Sequence, residues 1–164
     1  MRKRLLAVVA VGLFLSLSIA AGGSESAEKA VNRVLDSLHE AASDANGELY
    51  FGLFDEDAVF MGTDATERWS MDEFRAFAEP HFSQGRGWTY TVTERHVYVA
   101  VSGATAWFDE VLRNDHYGTC RGTGVLLLTD EGWRIAQYNL TIPIPNDLAG
   151  EFTARIREFE DAAR

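Results

Sequence analysis

Apolar residues recur along this chain first at helical spacing and then at strand spacing. Between residues 25 and 45, Val31, Val34, Leu35, Leu38, Ala42 and Ala45 fall three and four apart, the spacing of one buried helix face, and Asn46-Gly47 supplies its C-terminal stop. Residues 48–54 read as a short second helix or turn, Asp55-Glu56-Asp57 as a polar break, and 58–62 as a short apolar strand. Ser70-Met71-Asp72-Glu73 has the reciprocal spacing of a capping box. The helix it opens places Phe74, Phe77, Ala78 and His81 or Phe82 on one face, and Pro80 ends or bends it.

Period two then takes over. Residues 88–101, 105–113, 119–129 and 133–144 read as four consecutive strands, separated by Ser102-Gly103, a 114–118 loop and the Asp130-Glu131-Gly132 hairpin loop. Pro143 and Pro145 stop the ladder, because proline cannot donate to it. Asn146 is placed to cap a final helix with Leu148, Phe152, Ile156 and Phe159 on one face. Helices first and an antiparallel meander afterwards predict an α+β fold: a curved antiparallel sheet forming a cone around the N-terminal helix, with a pocket inside and a C-terminal helix.

Ahead of this pattern stands a targeting segment. Arg2, Lys3 and Arg4 precede an apolar run over 5–15, and small residues over 18–22 suit a signal peptidase, so residues 1–23 are expected to be a bacterial-type signal peptide and 24–164 one exported (periplasmic or secreted) domain. The apolar run is short for a membrane span, although an uncleaved anchor is the alternative. Loss of the three basic residues moves the net charge from -10 to -13. So acidic a domain repels phosphate backbones and anionic lipid, which excludes nucleic acid as a partner. Cys120 is the only cysteine and lies in a strand-like run, which marks it as buried and inert; no intrachain disulfide can form.

Turn positions set a register for the candidate chemistry. Pairing across Ser102-Gly103 places Arg95 opposite Glu110, Val97 opposite Phe108 and Val99 opposite Ala106. Pairing across 114–118 places Glu110 opposite Arg121. Pairing across the last hairpin places Leu127 opposite Ile135, Val125 opposite Gln137 and Thr123 opposite Asn139. One face then carries Val97, Val99, Phe108, Leu112, Val125, Leu127 and Ile135, with Arg95, Glu110, Arg121, Thr123, Gln137 and Asn139 towards one end. These six polar residues are the predicted ligand-binding set, and Glu110 is the candidate catalytic group. Two arginines beside Glu110 would hold its pKa low, which suits anchoring an anionic or carbonyl ligand at least as well as proton transfer. The same trio also reads as an ordinary surface ion-pair ladder. His96, Tyr98, Trp107, Asp109, Tyr138 and Leu140 fall on the opposite face, and His96 with Asp109 is the second candidate pair should that face line the pocket. His39, His81, His96 and His116 have no zinc spacing, and Asp64 reads as a turn residue, so no metal site is expected. Phosphate-loop, dinucleotide and nucleophile-elbow motifs are absent, so no cofactor is expected.

Phe60-Met61-Gly62-Thr63-Asp64, Trp69, Thr105–Glu110, Cys120–Leu126 and Trp133–Tyr138 resemble a SnoaL-like domain of the nuclear transport factor 2-like superfamily, over roughly 27–147. The resemblance implies a curved sheet wrapped on the first helix, an apolar cavity between them, and frequent homodimers through the outer sheet face. It also implies acid–base chemistry with a cavity carboxylate where members are enzymes, and scaffolds or interaction domains where they are not; no catalytic motif carries over residue by residue. The expectation is a small-molecule-binding domain, with or without acid–base turnover, and the alternative is a non-catalytic dimeric interaction domain.

Overall fold

The computed structural model describes residues 25–164, so the predicted signal peptide lies outside the described residues. Helix α1, Ala27–Ser43, starts where the Ser26 side chain accepts from the Lys29 amide, and it buries Val31, Leu35, Leu38, Ala41 and Ala42. Asn46 caps the short α2, Gly47–Gly52. Strands β1, Phe54–Met61, and β2, Arg68–Ser70, follow. Both arms of the predicted capping box are made at the start of α3, Met71–Phe82, and Pro80 sits inside that helix, which runs two residues past it. The meander comprises β3, Thr91–Val99; β4, Thr105–Asn114; β5, Gly118–Thr129; and β6, Gly132–Thr141. Asn146 opens a short 3-10 turn, Asn146–Leu148, instead of capping the last helix; α4, Ala149–Ala162, begins after it with no side-chain cap.

The sheet corrects the expected cone. Its six strands run in the order β2-β1-β6-β5-β4-β3, and β1 lies parallel to β6, so the sheet is mixed. It is open and not strongly curled. Closure would need β2 to pair with β3, and β2 is three residues long. Helices α1, α2 and α3 cover one face, which gives two layers around one core. Phe74, Leu35, Leu112, Leu126 and Ile135 are fully buried there, while Tyr98 and Trp107 stay exposed on the other face.

Two local irregularities reassign the faces. Asn114 pairs with Gly118, leaving a three-residue loop with Gly118 at φ 73°, the left-handed position of such a hairpin. Glu110 therefore sits opposite Gly122, and Arg121 opposite Val111. A one-residue slip turns every side chain over, so Arg121, Thr123, Val125 and Leu127 leave the inner face predicted for them. Then β6 carries a bulge: Val125 pairs with Gln137 but Leu126 with Ile135. The extra residue lets Ile135 and Tyr138, three apart, both point inward.

Candidate functional site

Glu110, on the inner face of β4, is 1% exposed and is the one charged residue in the core among the described residues. A buried carboxylate is tolerated only when its oxygens are satisfied. Here Oε1 accepts from Tyr138 Oη and from His39 Nε2, each at 2.8 Å, and Oε2 accepts from Arg95 Nε at 2.7 Å. Gly122, directly opposite, makes the room: a Cβ there would collide with Tyr138 Oη and lie 2.8 Å from Glu110 Oε1.

Helix α1 supplies the other wall. Asn32, Asp36 and His39 recur at four and three, a polar line beside the apolar stripe. Arg95 Nη1 donates to Asp36 Oδ1 at 2.6 Å and lies 3.4 Å from Asn32 Oδ1, while His39 reaches Glu110. Arg95 Nη2 is buried without a hydrogen-bond partner among the described residues.

The protonation pattern follows from these contacts. Burial alone would push the Glu110 pKa up, but hydrogen bonds and charge from His39 and Arg95 outweigh it and hold the carboxyl below its usual range. Burial works against the Arg95 charge too, and Glu110 and Asp36 more than compensate. Burial and the neighbouring Glu110 charge keep the Tyr138 phenol protonated far above its usual value. An ionised carboxylate only accepts, so His39 donates from Nε2, and its neutral form keeps Nδ1 as an acceptor. The Arg95–Glu110 pair is thus a buried element of the core and not part of a surface ladder.

Beside this network lies a cavity of about 200 Å3, walled by Phe60, Trp69, Phe74, Phe77, Trp88, Tyr90, Tyr117 and Leu140, with Gly62, Thr63 and Glu67 at its polar side. A deeper void of about 20 Å3 shares Phe60, Trp88, Tyr90 and Leu140 with it and is touched by His39 and Tyr138. That volume admits roughly one water-sized group. The rings are aligned: Phe60 stacks on Tyr138 at 7° and Trp69 on Phe74 at 6°. Burial pushes the Tyr90 phenol up to about 12, so it stays a donor at neutral pH.

Of the six predicted ligand-binding residues, the structure brings together Arg95 and Glu110 on the inner face, behind His39 and Tyr138 and not lining the cavity. Arg121, Thr123, Gln137 and Asn139 lie on the outer face. His96 and Asp109 also lie there, 3.3 Å apart and each about half exposed. Asp64 accepts from the Thr66 amide and hydroxyl and so organises its turn. Cys120 is fully buried, which pushes its thiol up. Among the described residues no cluster of three or more histidine, cysteine or acidic groups is arranged to hold a metal, and no helix is long and apolar enough to cross a membrane.

His39 and Tyr138 were not legible as site residues. His39 had one signal, a histidine four residues after Leu35 and three before Ala42 on the buried face of α1. Tyr138 was hidden by the slip in the Asn114–Gly118 hairpin: it pairs with Gly124, which that slip turns inward.

The SnoaL-like domain family matches residues 31–145. Among solved structures the chain is similar to an NTF2-like protein of unknown function from Pseudomonas putida KT2440, with TM-score 0.63 and 14% identity over 73% of this chain and 89% of that one. It is also similar to a protein of unknown function of the DUF3225 family from Pectobacterium atrosepticum, with TM-score 0.61 and 18% identity over 72% and 91%. A third is a protein of unknown function from Mycobacterium tuberculosis, with TM-score 0.59 and 19% identity over 73% of each chain. At these identities the likeness shows the fold alone. No curated protein matches the chain.

Proposed function

This chain belongs to the SnoaL-like domain family, and from that premise we propose that it is an exported domain whose aromatic cavity binds a small neutral ring compound bearing a carbonyl, with His39 moving a proton on it. The reading rests on one juxtaposition: the stacked aromatic cavity adjoins a void touched by His39, whose Nε2 is fixed on buried Glu110. About 150 Å3 suffices for a benzene ring, so the main cavity suits a single ring and the deep void its oxygen. An anionic ligand loses its support, because Arg95 is engaged by Glu110 and Asp36, and Glu67 is the charged group at the wall.

Glu110 is then a positioning residue and not the base. In the form that is neutral, His39 takes a proton at Nδ1 from the carbon beside the ligand carbonyl, leaving an enolate. The imidazolium so formed faces the Glu110 carboxylate, and return of the proton to the ligand regenerates both partners.

Trp69 and Trp88 line the cavity, so titration with small aromatic ketones is expected to quench tryptophan fluorescence saturably in the parent, and less in Leu140→Trp, which fills the space. Deuterium exchange at the ligand's α-carbon in D2O reads the proton transfer and is expected to vanish in His39→Gln while quenching persists. Absence of saturable quenching across such ketones sinks the binding reading. Quenching without exchange leaves a binder and removes the catalyst.

A further inference from the structure

Glu67 is the one charged residue on the wall of the aromatic cavity, and proton transfer by His39 gives it no part. Local structure fixes it there. The Gly62 amide donates to the Glu67 carbonyl at 2.8 Å and the Glu67 amide to the Asp64 carbonyl at 3.0 Å, which closes a turn after β1. The Glu67 side chain folds back over Gly62, where a Cβ would collide with Oε2 and lie 3.0 Å from Cδ. Oε2 accepts from the Asp64 amide at 3.1 Å, and Oε1 meets no donor among the described residues. Tyr90 lines the same cavity; burial is the main cause of its raised pKa, and the Glu67 charge is among those that add to it.

The cavity has two unlike ends. Its inner end adjoins the void touched by His39 and Tyr138. Glu67, Phe77 and Tyr117 line the cavity and not the void, and Phe77 and Tyr117 are 46% and 45% exposed, which puts them at the mouth. From Phe60, which stacks on Tyr138, the chain runs two residues to Gly62, about 7 Å when extended. That is the span of one aromatic ring with a group at each end. Trp69 lies within 22° of Phe60, Phe74 and Phe77. Such near-parallel rings make a flat slot, which suits an aryl ring and not a tetrahedral ammonium group.

An ionised carboxylate only accepts. A ligand that covers Glu67 without offering a donor strips its water and returns nothing, whereas a neutral hydroxyl restores the bond. Resting on the reading of this cavity as a ring-ketone site, we propose that Glu67 is its specificity-determining residue. Oε1 accepts from a hydroxyl on the ring carbon opposite the ketone, so the ligand class is a para-hydroxyaryl ketone, carbonyl inward and hydroxyl at the mouth.

The test is calorimetric titration of the chain, as its expressing cell processes it, with three aryl methyl ketones that carry hydroxyl, methoxy or hydrogen at the para position. The parent is expected to bind the hydroxyl compound about tenfold more tightly than the other two, the scale of one hydrogen bond to a charged group. In Glu67→Gln the amide oxygen stays on the Asp64 amide and the NH2 group takes the place of Oε1, so the ratio is expected to fall to about one. Gly62→Ala keeps the charge but pushes the carboxylate from its seat, with the same expected loss of preference. Equal affinity of the parent for all three ketones overturns the Glu67 assignment and leaves the cavity reading standing. A tenfold preference that survives in both variants also overturns it, whether or not all three affinities drop together, because Glu67 would then be structural. Binding of none of the three by the parent removes the cavity reading and this assignment with it.

Discussion

Glu110 controls this molecule at the residue scale, since three donors from β3, β6 and α1 converge on it. Removing its charge while Arg95 stays buried is expected to cost about 3–5 kcal/mol, so Glu110→Gln should lower the urea midpoint sharply. A change below about 1 kcal/mol, the scale of an exposed ion pair, would contradict the buried-pair description. Because its folded pKa is depressed, ionised Glu110 contributes its full stability above the ordinary value of 4.5, and that contribution is lost as pH falls through the lower folded value. Urea unfolding between pH 7 and pH 3 should therefore show a decline below 4.5 that is shallower in Glu110→Gln. Gly122→Ala pushes a methyl against Tyr138 Oη and Glu110, with an expected cost of about 1–3 kcal/mol. Tyr138→Phe removes the hydroxyl it meets, so the double variant should be more stable than the sum of the singles implies, a coupling of about 1 kcal/mol in a double-mutant cycle.

At the scale of elements, the face of each strand was decided by turns and bulges. The hairpin across Ser102-Gly103 was legible, and Arg95 pairs with Glu110 as its turn predicts. The next hairpin was not, because a three-residue and a four-residue loop differ by one slip that the residues Asn114–Gly118 do not themselves announce. Gly118 has φ 73° and open space where a Cβ would stand. Gly118→Ala should thus cost about 1–2 kcal/mol from backbone strain alone, and Gly118→Asn less; equal melting temperatures for all three would argue against the left-handed turn. The same slip carried Tyr138 and Leu140 inward, because the predicted pairs Val125–Gln137 and Thr123–Asn139 hold, while the bulge in β6, which no single residue marks, kept Ile135 inward as well. The caps, in contrast, are local: Ser70 and Glu73 satisfy each other's backbone amides, and Ser70→Ala should cost about 1 kcal/mol by thermal unfolding.

For the whole molecule, an open mixed sheet with helices on one face leaves an aromatic cavity on the covered side and an apolar row on the bare side. Ligand in the cavity binds the folded state, so a ketone at 100 times its Kd should add about 2.7 kcal/mol to unfolding.

The order of the helices and of the four-strand meander, the amphipathic faces of α1 and α4, the capping box and the first hairpin register were determined by the sequence alone, because each depends on residues near one another in the chain. What joined β1 to β6 in parallel, turned Arg121 and Thr123 outward and Tyr138 inward, and brought His39 from the first helix onto Glu110 was decided only in the tertiary structure. Those outcomes depend on a loop length, a bulge and a contact between residues 71 positions apart, and such long-range choices are settled by how the core packs, not by local pattern.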